Sequence, residues 1–214
     1  MSLRPTRPRR YLAGLVVVLV LALLAVWLWP EDEEPPRAEP TPVPSFAMLP
    51  ITSQCPTTTV KPFTPTSMAV PGVDSHIRVV ALPRDARDVP STPPVTNAGK
   101  RQVAWDRPPG IRPGSKHGNV LLNAHTFPDG SALGNDLLEH LQEGDRVRLR
   151  GGSTTLCYRV TERVEVEAAG GFPRYYERDG KPQIALIVCS GRRLGPGEWT
   201  HRTIWFAEPW SDAA

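Results

Sequence analysis

Short runs of β-forming residues dominate the chain from Met68 to Pro209. Glycine, proline, asparagine and aspartate interrupt these runs every few residues, which is typical of strands joined by turns. Helical periodicity is clear only over Leu133 to Leu141, where four leucines share one face before a Gly-Asp stop. The pattern predicts one all-β domain, a barrel or a sandwich, with a short helix. The main predicted strands are Ile77 to Leu82, Val120 to Ala124, Arg146 to Arg150, Thr155 to Val160, Ile184 to Val188 and Thr203 to Phe206.

An uncharged apolar run of nineteen residues, Tyr11 to Trp29, lies near the N-terminus. A helix of this length spans the roughly 30 Å hydrocarbon core of a bilayer. Four arginines precede the run and four acidic residues follow it, so we expect residues 1–10 in the cytoplasm and all residues after Trp29 outside the cell. A cleaved signal peptide is the alternative, but its apolar region is usually shorter, and Trp27 and Trp29 favour an uncleaved transmembrane anchor.

Residues 30–67 form a segment rich in proline. Eleven prolines occur between Pro30 and Pro71, and such a segment forms no regular hydrogen-bond ladder. We expect an extracellular spacer, part of which (residues 60–70) can pack along the edge of a domain that occupies residues 68–210. The net charge of +3 is explained by the four N-terminal arginines, so the exterior part is close to neutral and no nucleic-acid partner is indicated.

Three cysteines are present, so at least one has no partner within the chain. A Cys55–Cys157 disulfide is compatible with the sequence, although nothing in the sequence requires it. That pairing would leave Cys189 as the free thiol. The cysteines and histidines are scattered without a CxxC or HxxxH pair, which disfavours a zinc site, and no convincing carboxylate cluster suggests calcium.

Cys189 and His125 each follow an apolar run and precede loop-forming residues. A thiol where a strand leaves the core, beside basic residues, can be ionised and reached by a substrate. The commoner role for such a cysteine is that of a small buried hydrophobe, and a lone histidine is more often a surface residue. Together, the two residues can supply the nucleophile and the general acid and base of cysteine acyl transfer.

Arg202 follows Cys189 by thirteen residues, in a segment where polar and apolar residues alternate. A solvated strand arginine is the ordinary interpretation of this pattern. Its functional role would be to donate hydrogen bonds to the scissile carbonyl or to the oxyanion of a tetrahedral intermediate. Arg192 and Arg193 directly follow the cysteine and compete for that role.

The order His, Cys, Arg resembles the sortases, the membrane-anchored cysteine transpeptidases of Gram-positive and actinobacterial surfaces. Four segments carry the resemblance. They are Pro113 to His125, similar to the Pro-Gly run before the sortase histidine; Leu137 to Val147, similar to the helix, Gly-Asp turn and strand that follow it; Ala185 to Cys189, similar to the TLxTC box; and Trp199 to Ala207, similar to the W-x-x-R ending.

The resemblance implies a closed barrel of about eight strands that requires no cofactor. It implies that Cys189 attacks the threonine carbonyl of an LPxTG-like sorting signal, carried by a surface protein or pilin. His125 then protonates the leaving amine, and Arg202 stabilises the oxyanion. An amine, such as that of a peptidoglycan precursor or a pilin lysine, resolves the thioacyl enzyme. The implied location is the cell membrane, with a single span and an extracellular catalytic domain.

The sequence departs from the sortase pattern beside the nucleophile and the histidine. Val188 replaces the threonine before the cysteine, Ala185 replaces the first threonine of the box, and Ala124 replaces the usual glycine before the histidine. We expect Val188, Ala124 and Arg192 to contact the substrate, so these departures bear on substrate preference. The anchor, the spacer and the short Cys–Arg segment look closest to class E and class F sortases of actinobacteria.

Two other functions compete with this interpretation. A peptidoglycan cross-linker of the L,D-transpeptidase type also uses Cys, His and Arg, but its His and Cys lie closer together and its cysteine follows a glycine. A surface-anchored β-domain that only binds a partner is the alternative from another class. It predicts that Cys189 is unreactive or disulfide-bonded and lies away from His125 and Arg202.

Overall fold

The computed structural model describes Cys55 and residues 57–212. Within these residues there are eight β-strands, one α-helix and three short 3₁₀ helices. The strands are β1 (Ser67–Val70), β2 (Asp74–Leu82), β3 (Val103–Asp106), β4 (Asn119–Ala124), β5 (Arg146–Gly151), β6 (Thr154–Glu167), β7 (Gln183–Gly195) and β8 (Glu198–Trp210). The α-helix, α1, is Leu133–His140, and the 3₁₀ helices are Gly99–Arg101, Ala168–Gly170 and Pro173–Tyr176.

The strands close into a barrel in the order β1-β2-β3-β4-β7-β8-β6-β5, with β5 returning to pair with β1. Two neighbouring pairs, β2 with β3 and β4 with β7, are parallel, and the other pairs are antiparallel. Closure pairs each of these eight strands with two neighbours. The prediction of an all-β closed barrel of about eight strands is confirmed.

Alternation along β4, β7 and β8 separates an inner core from a smaller outer cluster. On β4, Val120 and Leu122 belong to the inner core, whereas Leu121 joins the outer cluster with Tyr175 and Phe206. This alternation follows from strand geometry, because successive side chains of a strand point to opposite faces. Buried indole groups find carbonyl partners, as where Trp205 Nε1 donates to Leu141 O at 2.9 Å.

Helix α1 packs its leucines against the barrel as the sequence predicts. Leu133, Leu137 and Leu141 are fully buried, and Leu141 is the C-cap residue that follows the helix. Asn135 Oδ1 accepts hydrogen bonds from the N–H groups of Ala132 and Phe127, so its side chain ties the helix start to the chain leaving β4. The helix therefore braces the segment that follows His125.

The C-terminal part of the proline-rich segment lies against the barrel. Phe63 is buried, and its N–H donates to Pro113 O at 3.0 Å. Cys55 forms a disulfide with Cys157 on β6, which answers the pairing that the sequence left open. Residues 1–10, the predicted transmembrane helix over residues 11–29 and most of the spacer lie outside the described residues. Among the residues that are described, no helix is long and apolar enough to cross a membrane.

Candidate active site

His125 directly follows β4, Cys189 is on β7 and Arg202 is on β8, and these three strands are adjacent in the barrel. In the parallel pair of β4 and β7, Ala124 is opposite Val188, so the next residues along the two chains are His125 and Cys189. In the antiparallel pair of β7 and β8, Arg202 is directly opposite Cys189. All three side chains line a single cleft of about 680 Å³. The structure therefore brings together the three residues that the sequence singled out.

Cys189 is the free cysteine among the described residues, and its side chain is half-buried. Burial raises the pKa of its thiol, because a thiolate is poorly solvated there, while the positive charge of Arg202 acts in the opposite direction. Thr126 Oγ1 donates to Cys189 O at 2.7 Å and so fixes the backbone of the nucleophile to the segment that follows β4.

The His125 ring is held by two neighbours. Its Nε2 lies 2.6 Å from Pro93 O, in the connection between β2 and β3. Phe127 packs against the same ring, with the ring centroids 5.9 Å apart and an interplanar angle of 49°. Within the described part of the chain, the imidazole is thus positioned by a backbone carbonyl and an aromatic ring.

The guanidinium of Arg202 is bonded to its own strand. Its Nη1 donates to His201 O at 2.8 Å and to Trp199 O at 3.3 Å. These bonds hold the long side chain along β8, beside Cys189. The rest of the guanidinium has no hydrogen-bond partner within the described part of the chain, and guanidinium N–H groups are donors only. Arg202 can therefore donate to a negatively charged oxygen that forms next to Cys189.

Three connections wall the cleft, and each contributes apolar surface. The β2–β3 connection supplies Val89, Pro90, Thr92 and Val95; the β6–β7 connection supplies Tyr175 and Tyr176; and the end of the β7–β8 hairpin supplies Arg193, Pro196, Gly197 and Trp199. No aspartate or glutamate is among the residues that line this cleft. Its charged groups are therefore the arginines and, when protonated, His125.

The predicted substrate contacts fall in different places. Val188 and Ala124 line the cleft, although both side chains are buried in the inner core. Arg192 does not line the cleft, and its N–H donates to Thr200 Oγ1 at 2.8 Å. Arg193 is the basic residue that reaches the cleft wall. A register shift follows Ser190, and a substrate contact by Arg192 stays a prediction.

The prediction that the strand ends at Cys189 is wrong. Strand β7 continues to Gly195 and forms a two-stranded ribbon with the start of β8. What changes after Ser190 is burial, because residues 191–194 are all exposed. The polar and basic residues that suggested a loop are the solvated end of a strand.

Sequence reasoning missed Thr126, Asn123 and Tyr175. Thr126 and Asn123 flank the histidine segment, and both are buried polar residues at the cleft. Tyr175 is buried under the cleft and donates its hydroxyl to Leu122 O at 3.2 Å. Asn123 could have been recognised from the sequence, because it is a polar residue inside an apolar run. Tyr175 offered none, since it lies in an irregular connection.

No group of three or more His, Cys, Asp or Glu side chains in Cys55 and residues 57–212 could hold a metal ion. The chemistry available at the cleft from these residues is that of a thiol, an imidazole and a guanidinium. A thiol flanked by a general acid–base and by a cationic donor can carry out acyl transfer through a thioester.

Comparisons with known proteins point to one family, the sortases. A family model of the sortase domain matches residues 68–210. Similar solved structures include sortase A of Listeria monocytogenes, with 22% identity, 67% of this chain and 85% of that chain covered, and a TM-score of 0.49. They also include sortase C1 of Streptococcus suis, with 19% identity, 71% and 75% coverage and a TM-score of 0.51. A pilus-related sortase C of Group B Streptococcus has 17% identity, 68% and 66% coverage and a TM-score of 0.51.

At these identities, the two likenesses with a TM-score of 0.51 speak for the fold alone. The comparison with curated proteins found no match. The family assignment rests on the sortase domain, which covers the whole barrel from β1 to β8. This chain therefore belongs to the sortase family of cysteine transpeptidases.

Proposed function

We propose that this sortase cleaves an LPxTG-like sorting signal with Cys189 as nucleophile, His125 as general acid and base, and Arg202 as oxyanion donor. The observation that carries the proposal is the row of these three side chains across β4, β7 and β8 in one cleft. A domain that only binds a partner has no need for a free thiol between an imidazole and a guanidinium. Cys189 is free, and Cys55 and Cys157 form the disulfide.

The reaction divides into two acyl transfers. The Cys189 thiolate attacks the threonine carbonyl carbon of the signal, and Arg202 donates hydrogen bonds to the oxygen as it becomes negative. The peptide C–N bond then breaks, and the leaving amine takes a proton from protonated His125. In the second transfer, an acceptor amine gives its proton to His125 and attacks the thioester carbonyl. The C–S bond breaks, and the thiolate is regenerated.

The apolar walls of the cleft support an uncharged, hydrophobic peptide as substrate. Within the described residues, only four large hydrophobic side chains are exposed, and Val89, Val95 and Tyr176 are three of them. All three line the cleft that contains Cys189. An exposed apolar cluster of this kind marks a binding surface. The leucine, proline and threonine of an LPxTG-like signal carry no charge and match such walls.

The acceptor and the location are further parts of the proposal. We propose an amine acceptor, either a peptidoglycan precursor or a pilin lysine, and a single membrane anchor over residues 11–29 with the barrel outside the cell. The apolar run and its flanking charges support this topology. A membrane-impermeant maleimide applied to intact cells labels Cys189 if the topology is correct. It leaves the protein unlabelled until lysis if the barrel is inside.

The test is a peptide panel offered to the full-length chain. LPxTG-type and LAxTG-type peptides are mixed with a glycine peptide or a lysine as acceptor, and the products are followed by mass spectrometry. We expect a thioacyl adduct on Cys189 and a ligated product, both absent in Cys189→Ala. A class E or class F sortase, which the sequence resembles, is identified by the signal and acceptor that react fastest.

Two negative results have different meanings. If Cys189 reacts readily with iodoacetamide but forms no adduct with any peptide, the proposed signal is wrong and the nucleophile stands. If Cys189 is also inert to iodoacetamide across the alkaline pH range, the proposed mechanism fails. Any shortened form of the protein must retain Cys55, because its removal breaks the disulfide to β6.

A further inference from the structure

Residues 90–94, here called the proline strap, contribute Pro90 and Thr92 to the lining of the cleft and are fastened to the end of β4 by two side chains. Asn123 Nδ2 donates to Ser91 O at 3.1 Å, and His125 Nε2 lies 2.6 Å from Pro93 O. Asn123 and His125 are two residues apart, as are the two acceptors. Alternate residues of an extended chain face the same side, so one strand contacts the strap at two matched points.

The contact to Pro93 determines which ring nitrogen carries a proton. A carbonyl oxygen only accepts hydrogen bonds, so Nε2 of His125 must be the donor. Nδ1 is then the nitrogen that can take up and release the proton of an acyl transfer. Without the strap, the neutral ring can exchange between its two tautomers and rotate about its side-chain bonds.

The strap is a stiff acceptor. Proline has a fixed φ and restricts the residue before it, so Thr92 and Pro93 are both confined by the prolines that follow them. Pro90 and Pro93 are buried. Beyond the strap, Gly99 packs so tightly on Pro94 O that a Cβ at this position would lie 1.9 Å from that oxygen. Pro93 O is therefore presented to the His125 ring at a defined position.

The Asn123 amide makes one hydrogen bond to the strap, and its other polar atom has no hydrogen-bond partner within the described residues. Its Nδ2 must face Ser91 O, because that oxygen only accepts, and this leaves Oδ1 buried without a partner within the described residues. A buried acceptor without a hydrogen bond is destabilising. An apolar residue at this outward position of β4 would avoid that cost but could not hold the strap.

We propose that Asn123 is a positioning residue for His125. It holds the proline strap, the strap holds Pro93 O on Nε2, and the ring is thereby fixed with Nδ1 available for proton transfer. The inference rests on the acid–base role proposed for His125. It assigns a second task to the β2–β3 connection, which also supplies apolar wall to the cleft.

The test compares two leucine variants of the full-length chain. Asn123→Leu keeps a similar side-chain volume and removes the donor to the strap. Asn119→Leu is the matched control, since Asn119 is also a buried asparagine of β4 but donates to Arg174 O and Tyr175 O in a different connection. The readouts are the ¹⁵N signals of the histidine rings, with His125 assigned through His125→Gln, and kcat and KM with the sorting peptide.

We expect wild type and Asn119→Leu to show His125 protonated on Nε2, whatever stability Asn119→Leu loses. Asn123→Leu should show a mixture of tautomers, with kcat lower by about 10- to 100-fold and KM little changed. Asn123→Gln, which retains an amide donor, should restore part of kcat. Because Pro94 is exposed, Pro94→Gly loosens the strap without touching the core and should act in the same direction.

An unchanged His125 signal and an unchanged kcat in Asn123→Leu would overturn the inference. An equal loss of the Nε2–H tautomer in Asn119→Leu would also overturn it, because the effect would then be general destabilisation. Failure of the proposed function is seen separately, as a wild-type protein that converts no sorting peptide. The ring signals still decide in that case whether Asn123 positions His125.

Discussion

At the scale of single residues, Cys189 is subject to two opposing electrostatic effects. Partial burial raises the pKa of the thiol, and the nearby Arg202 guanidinium lowers it. Burial is the larger effect, so at neutral pH the thiol form predominates and the thiolate is a minor species. Arg202 therefore has two tasks: it favours the thiolate before the attack and the oxyanion after it.

The substitution Arg202→Met tests both tasks, because it removes the guanidinium and keeps a long side chain. We expect kcat to fall by about 10²- to 10³-fold, as for the loss of one oxyanion donor. Removing the positive charge also raises the pKa of Cys189 further, so the alkylation rate of the thiol should reach its plateau at a higher pH. The measurement is the rate of iodoacetamide alkylation as a function of pH, alongside the transpeptidation rate.

Arg193→Met is the control for this experiment. Arg193 also lines the cleft, but it is opposite Trp199 and not opposite Cys189. We expect its loss to leave the pH dependence of alkylation close to that of wild type. If both variants shift the curve equally, the effect of Arg202 is one of overall charge and not of its position beside the thiol.

At the scale of elements, the β7–β8 ribbon links the nucleophile to the rim of the cleft. Beyond Ser190, the ribbon contains register shifts and two glycines with φ of 74°, Gly191 and Gly197. Gly191 is also crowded, since a Cβ there would lie 2.5 Å from Thr200 Oγ1 and 2.6 Å from His201 Nδ1. Gly197 has nothing within 4 Å of such a Cβ. The bulge at Gly191 thus depends on the absence of a side chain.

Gly191→Ala and Gly197→Ala separate backbone strain from steric overlap. Each substitution places a side chain at positive φ, which costs on the order of 1–3 kcal/mol. Gly191→Ala should lose more stability than Gly197→Ala, because only its Cβ overlaps β8. It should also change the alkylation rate of Cys189, two residues away. Melting temperatures that fall equally in the two variants would show that the overlap is relieved by movement of Thr200 and His201.

At the scale of the whole molecule, strand pairing stabilises the barrel, and the Cys55–Cys157 disulfide attaches the preceding segment to it. The barrel joins β1 to β5 and so closes on itself without the segment before Ser67. The disulfide then fixes that segment to β6 across a sequence separation of 102 residues. Closing so long a loop removes much of the conformational entropy of the unfolded chain.

Replacing both cysteines by alanine tests this contribution. We expect Cys55→Ala/Cys157→Ala to lower the free energy of unfolding by about 4–5 kcal/mol, the loop-entropy value for a loop of this length. Chemical denaturation of the two proteins under non-reducing conditions measures the difference. Cys189 is on β7, and β8 lies between β7 and the β6 strand that carries Cys157. The alkylation rate of Cys189 should therefore not change. A difference below about 1 kcal/mol would show that the unfolded chain is little constrained by the cross-link.

Much of the fold was predictable because its signals are local. The short β-forming runs between turn residues predicted the cores of six strands, the leucines predicted α1, and the all-β barrel is confirmed. The extent of β7 was not predictable, because its solvated end carries the same small and basic residues as a loop. The short strands β1 and β3 have four residues each, too few to show a period.

The sequence by itself determined which reactive residue types occur in or directly after the strands. A histidine after β4, a cysteine on β7 and an arginine on β8 are visible as interruptions of local patterns, and the resemblance to sortases gave them one function. Their roles in this chain remain proposals, to be decided by the peptide and alkylation experiments.

Only the tertiary structure decided which strands are neighbours and which backbone atoms meet the site. The parallel pairing of β4 and β7 places His125 beside Cys189, sixty-four residues later in the chain. The contact between Pro93 O and the His125 ring spans 32 residues, and the disulfide spans 102. Contacts between distant segments depend on strand order and register, which no local period encodes. A backbone carbonyl acting on a side chain leaves no trace in the sequence, because every residue has one.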